Sequence, residues 1–178
     1  MCIRDRLSTI LNAYGMEGRK VPDVSDMLIQ IQNKGKTTVA ELSSSMGKII
    51  PTANANNVAL EQLGAGYAIL TSKGIATAEA TTYMNGMLNE LGKSGSQTDK
   101  ILRSKTGKSF SELMKSGYSL ADVLQIVQED AEGSGKSLSD MFSSSEAGKA
   151  ALSLMSDGVD SFNESVQGML DLSLIHIS

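Results

Sequence analysis

The chain has 178 residues, 40% of them hydrophobic and 20% charged, which is enough for one domain with a real core. Sixteen basic residues against twenty acidic ones give a net charge of −4, which argues against nucleic-acid binding driven by bulk charge. A single Cys excludes an internal disulfide framework, and a single His leaves little from which to build a histidine metal centre or a Cys/His hydrolase.

Both rare residues sit in suspect termini. Met1-Cys2-Ile3-Arg4-Asp5-Arg6 reads back to ATG TGT ATA AGA GAC AG, and Leu172-Ser173-Leu174-Ile175-His176-Ile177-Ser178 to CTG TCT CTT ATA CAC ATC TC. The two strings are reverse complements over their shared stretch and resemble the mosaic-end adapter of transposase-made sequencing libraries. The expectation is that residues 1–6 and 172–178 are translated adapter, to be left out of fold reasoning. Residues 7–171 then form a natural portion without Cys or His, part of something longer.

The predicted elements are helical from end to end. Their approximate spans are 7–14, 22–34, 38–56, 58–73, 77–91, 98–106, 109–116, 119–131, 137–142, 145–156 and 159–170. Val24, Met27, Leu28 and Ile31 fall at i, i+3, i+4 and i+7, the signature of one buried helix face. Val39, Leu42, Met46, Ile49 and Ile50 continue that rhythm until Pro51, which kinks or ends the run. Leu60, Leu63, Tyr67 and Leu70 form the next stripe, then Ala80, Met84, Met87, Leu88 and Leu91. Leu120, Val123, Leu124 and Val127 make the cleanest stripe, opposite Asp122, Gln125 and Glu129. Strand-like alternation is missing, so the fold class is all-α: an irregular array of about nine to eleven short amphipathic helices.

The punctuation agrees. Pro22 suits a first helical turn. Gly35, Gly74, Gly92, Gly107, Gly117 and Gly133 each follow a periodic run, where a helix C-terminus tolerates positive φ. Thr38 with Glu41, Ser109 with Glu112, Ser119 with Asp122 and Ser137 with Asp140 have the spacing of capping boxes or their shorter-armed relatives. The Gly/Ser-rich stretch 92–97 is the candidate linker, dividing residues 7–91 from a looser helical continuation at 98–171. Residues 107–114 and 135–142 echo one another as Gly-Lys-Ser followed by an apolar–polar–acidic–apolar pattern.

Candidate chemistry is sparse. Gly-Lys-Ser/Thr occurs four times, ending at Thr37, Ser94, Ser109 and Ser137. A phosphate-binding loop needs a further Gly where Gln30, Met87, Leu102 and Asp130 stand, and it needs a preceding strand. The economical reading is a Gly that stops one helix, a Lys at its negative pole and a hydroxyl that starts the next. Glu129, Asp130 and Glu132 are acidic but lack the ligand spacing of a Ca²⁺ loop. Lys100, Arg103, Lys105 and Lys108 form a basic patch without interleaved aromatics, which reads as a solvated face. The Met residues lie largely on apolar stripes, where they fill a core or line an adaptable partner groove. No catalytic, cofactor-binding or metal-ligating residue can be assigned, and an enzyme is not expected. No stretch approaches the roughly 18 apolar residues of a membrane span.

A resemblance goes further than these features. Residues 24–30 (Val-Ser-Asp-Met-Leu-Ile-Gln), 35–42 (Gly-Lys-Thr-Thr-Val-Ala-Glu-Leu), 46–53, 70–80 and 87–91, then the Gly-Lys-Ser-Phe segment on to about Met169, together resemble the core region of phage tail tape measure proteins. Their order and spacing carry the likeness across residues 7–171; only residues 15–20 depart from it, as a loop variant. The resemblance implies a structural virion protein of the tail, assembled in the host cytoplasm. It further implies a helical ruler around which tube subunits polymerise, and a part in genome delivery. The implied partners are tail tube subunits, tail assembly chaperones and other copies of the same chain, with no cofactor and no specific nucleic-acid recognition. The competing reading is a helical protein-binding module of a bacterial adaptor or effector.

Overall fold

The computed structural model describes residues 21–175 of the chain. In order they form α1 (Val21–Lys34), α2 (Val39–Ser45), α3 (Ile50–Ala55), α4 (Leu60–Ser72), α5 (Thr77–Gly92), α6 (Gln97–Thr106), α7 (Phe110–Lys115), α8 (Leu120–Gly133), α9 (Ser145–Met155) and α10 (Gly158–Ile175). Two 3₁₀ turns, Met46–Lys48 and Leu138–Met141, complete the set, and no strand occurs among the described residues. The protein is all-α. The expected helix 7–14, Cys2 and His176 lie outside the described residues.

Each helix start expected from a Ser or Thr followed by an acid is present. The Thr38 hydroxyl accepts from the Glu41 N–H at 3.1 Å while the Glu41 carboxylate accepts from the Thr38 N–H at 3.2 Å. Ser119 and Asp122 exchange the same pair of bonds at 3.1 and 3.0 Å. Ser109 accepts from the Glu112 N–H, and Asp140 accepts from the Ser137 N–H at 3.0 Å. These bonds satisfy N–H groups that a helix start otherwise leaves without partners.

Three expectations need correction. The single helix expected over 38–56 is α2, a 3₁₀ turn and α3, because Pro51 stands in the first turn of α3 and cannot donate to a continuing ladder. The element expected at 137–142 is one 3₁₀ turn, not an α-helix. Positive φ is found at Gly74, Gly107 and Gly117 as expected but not at Gly35, Gly92 or Gly133; it falls also on Gly95, Gly135, Gly158 and Asn57. Gly35 and Gly92 are required for closeness. A Cβ on Gly35 would strike the Thr71 hydroxyl and crowd the Ala68 backbone, and one on Gly92 would strike the Asn56 carboxamide.

At the centre lies α4, in which every residue from Leu60 to Thr71 except Gln62 is buried. A helix apolar on all sides belongs in the middle of a domain, and α4 packs against α1, α5, α9 and α10. Its small residues set the spacing: Gly64 faces Ile31 of α1 and Met169 of α10, and Gly66 faces Met84 of α5 and Leu154 of α9. The most extensive helix pair is α5 with α9, and α6 lies along α8. One continuous apolar core includes residues on both sides of 92–97, from Met27 and Leu28 through Phe110 and Val123 to Leu154 and Met169.

Candidate interaction surface

The four Gly-Lys-Ser/Thr segments each join the end of one helix to the start of another element. Ser109 and Ser137 stand directly before α7 and the 138–141 turn. In the other two the capping hydroxyl comes one or two residues later, from Thr38 and Ser96. Thr37 turns inward, its hydroxyl 2.7 Å from that of Thr77 and both within 3.4 Å of the Glu41 carboxylate. This hydroxyl cluster continues through Thr81, which bonds the Thr77 carbonyl and the buried Tyr67 phenol. Burial pushes the Tyr67 phenol far above its usual range, with the Thr81 bond opposing more weakly, so the ring stays neutral. The loop after α1 is thereby tied to both α4 and α5, with the Lys36 N–H donating to Thr71.

The basic and acidic clusters meet through one pair, Lys105 with Asp130. Arg103 pairs with Asp99 one turn earlier at 3.0 Å, and Lys105 reaches across to Asp130 of α8 at 3.7 Å. Lys108 donates to Ser116, Glu129 accepts from Gln125 and Glu132 from Gln128, while Lys100 is exposed. Among the described residues no group of three His, Cys, Asp or Glu side chains converges as a metal site would require.

Glu90 has a role that periodicity does not show. From the last turns of α5 its carboxylate accepts the Ser143 and Ser144 N–H groups, each at 2.8 Å, and the Ser143 hydroxyl at 2.9 Å. Its own carbonyl accepts from Ser96 and Thr98. One residue therefore braces the 92–97 turn and the start of α9 together. Burial raises the Glu90 carboxyl, but the two backbone bonds from Ser143 and Ser144, with their side-chain contributions, outweigh it and hold the group below its ordinary 4.5. The sequence carries a faint signal for this site, a Ser143-Ser144-Ser145 run whose N–H groups open α9, but nothing in it names the acceptor.

Of the described Met residues, Met27, Met46, Met84, Met87, Met114, Met141 and Met169 are buried in the core. The apolar surface that remains is small. A shallow groove of about 450 Å³ between α8, the 138–141 turn and α9 is floored by Leu138, Leu152 and Met155 and rimmed by Gln128 and Glu132. A second hollow of about 420 Å³ opens beside Glu90, Lys93, Asp140 and Phe142. Among the described residues Leu152, Ile29 and Tyr118 are the large apolar side chains most open to solvent. Asp140 is held below its ordinary range by the Ser137 backbone and hydroxyl, so the second hollow presents carboxylates at neutral pH. No helix among the described residues is long and apolar enough to cross a membrane.

The polar side chains of this all-α module cap, latch and cross-tie its helices. Comparison with known proteins places it. A profile of the phage-related minor tail protein family matches residues 5–144, and the chain belongs to that family. It is also 42% identical over 166 residues to a protein described as a probable tape measure protein of Clostridium phage phiCD119. That alignment covers 90% of this chain but only 18% of the relative's length. No solved structure matches the chain. Membership in this family places the chain among structural proteins of the phage tail, and displaces the adaptor or effector reading.

Proposed function

We propose that this chain is the core-region segment of a phage tail tape measure protein, a virion component that sets tail length as a ruler inside the tail tube. The observation that carries the proposal is the 42% identity to the phiCD119 protein across 90% of this chain. The physical basis of a ruler is linear reach: a helix rises about 1.5 Å per residue, so several hundred helical residues extend on the order of 1,000 Å. In this reading the segment catalyses nothing and holds no cofactor. Its partners are tail tube subunits, tail assembly chaperones and other copies of the chain. It assembles in the host cytoplasm, resides in the tail and assists genome passage at infection.

Two measurements test this. Mass spectrometry of purified tails should return peptides from residues 21–175. In-frame deletions in the parent chain outside this segment should shorten the tail by about 1.5 Å per residue removed. Absence of those peptides from tails, or tail lengths unaffected by such deletions, overturns the proposal.

A further inference from the structure

A helical rod gains a fixed increment of length with each residue, and this segment does not have the geometry of a rod. Its first and last helices meet at one place, with Ile31 of α1 and Met169 of α10 both facing Gly64. Bonds between residues far apart in sequence close the module. Lys73 meets Asp157 at 3.0 Å, 84 positions apart, and Gln62 of α4 accepts from the Leu120 N–H of α8 at 2.6 Å, 58 positions apart. Above all, α4 is buried on every side. Drawn out in line, it would need replacement neighbours around its whole circumference, because its two central glycines and uncapped start give it little stability of its own.

We infer that residues 21–175 remain folded in the assembled tail and add the width of a globule to its length, not the contour of a helix; this rests on the ruler reading above. As one continuous helix, roughly 155 residues would span about 230 Å. As a compact domain of the same size they have a radius of gyration of about 15 Å and measure about 40 Å across. The segment is thus a bead on the ruler, and the tail must admit a body of that width wherever the bead lies.

The test is a tandem duplication of residues 21–175 within the full-length parent protein, with tail lengths read by electron microscopy. A folded second copy lengthens the tail by no more than about 40 Å. Lengthening by about 230 Å overturns the inference and leaves the ruler reading standing. If an equally long duplication elsewhere in the parent also leaves the length unchanged, it is the ruler reading that fails. Should the duplication yield no tails, zero-length carbodiimide cross-linking of intact wild-type particles decides the matter. The Lys73–Asp157 contact should give an isopeptide link in particles, as in the free parent protein. Its absence from particles shows the segment drawn out and overturns the inference.

Discussion

Helix α4 and the run α6–α8 reach the same end, an ordered helix, by opposite routes. α4 begins after Ala59 with no side-chain cap and carries Gly64 and Gly66 in its interior, each costing about 1 kcal/mol relative to Ala. It is nevertheless the most enclosed helix among the described residues, held by α1, α5, α9 and α10. The run α6–α8 begins each helix with a serine cap, at Ser96, Ser109 and Ser119, and turns the chain at Gly107 and Gly117 with positive φ. α7 is only six residues long and would not persist alone in water. Local chemistry sets where these helices start and stop, whereas α4 is set by its surroundings. Small residues in α4 are a gain there, because closely approaching helices make up in packing what the backbone loses in propensity.

The largest effect should therefore come from thinning α4. Leu63 is fully buried, and Leu63→Ala should lower the stability of the 178-residue chain by about 3 kcal/mol in urea unfolding followed by circular dichroism. Because α4 packs against α1, α5, α9 and α10, one cooperative transition should move to lower urea with its slope unchanged. A two-step transition, with α6–α8 outlasting the rest, would break the comparison by showing that the capped run stands without the central helix.

How much of this was legible in the sequence follows from the same contrast. Where structure is local it could be read: the caps at Thr38, Ser109 and Ser119, the αL glycines at 74, 107 and 117, and the apolar stripes of α5 and α8 are all where pattern and spacing put them. Where it depends on distant neighbours it could not. Gly92 looks like any glycine that ends a helix, and nothing near it announces Asn56, 36 positions earlier, as the reason a side chain is excluded. Glu90 lies on the polar side of a periodic pattern, so it reads as solvated, yet its partners wait 53 and 54 positions later. The segment 92–97 has the composition of a flexible linker, but its Ser96 and neighbouring Thr98 are tied back to the Glu90 carbonyl.

Glu90 provides the second test, because it is a cap supplied from afar and so lies between the two routes. Glu90→Gln keeps the shape and one acceptor oxygen but removes the charge that strengthens the bonds from Ser143 and Ser144. A loss of about 1–2 kcal/mol at neutral pH is expected. The native carboxyl titrates below its ordinary 4.5, so its contribution is fully present above that value and fades as pH falls through the lowered one. Urea midpoints taken from pH 7 to pH 3 should fall less steeply in the variant than in the parent chain. Asp140, also held low by Ser137, supplies part of the slope that remains. Equal slopes in the two proteins would mean that the latch contributes shape alone.

A local cap should matter less. Ser119→Ala removes the acceptor for the Asp122 N–H at the start of α8 and should cost about 1 kcal/mol by the same unfolding measurement. Ser119→Asp, which keeps an acceptor, should restore most of it. If neither substitution is felt, the Gln62 side chain on the Leu120 N–H already does the work of the cap, and α8 belongs with α4 among the helices held by their neighbours.

The smallest effect belongs to the charges that the sequence makes most conspicuous. Lys105 meets Asp130 across the α6–α8 contact at 3.7 Å with its side chain about half exposed. Water and salt screen such a pair, and holding two mobile side chains together costs entropy. Lys105→Ala should lower stability by less than about 0.5 kcal/mol, and the difference from the parent chain should vanish in about 0.5 M salt. A larger, salt-insensitive loss would show that the lysine stem packs between α6 and α8. The basic patch would then contribute through its methylenes, and the capped run would owe more to side-chain burial than its serines suggest.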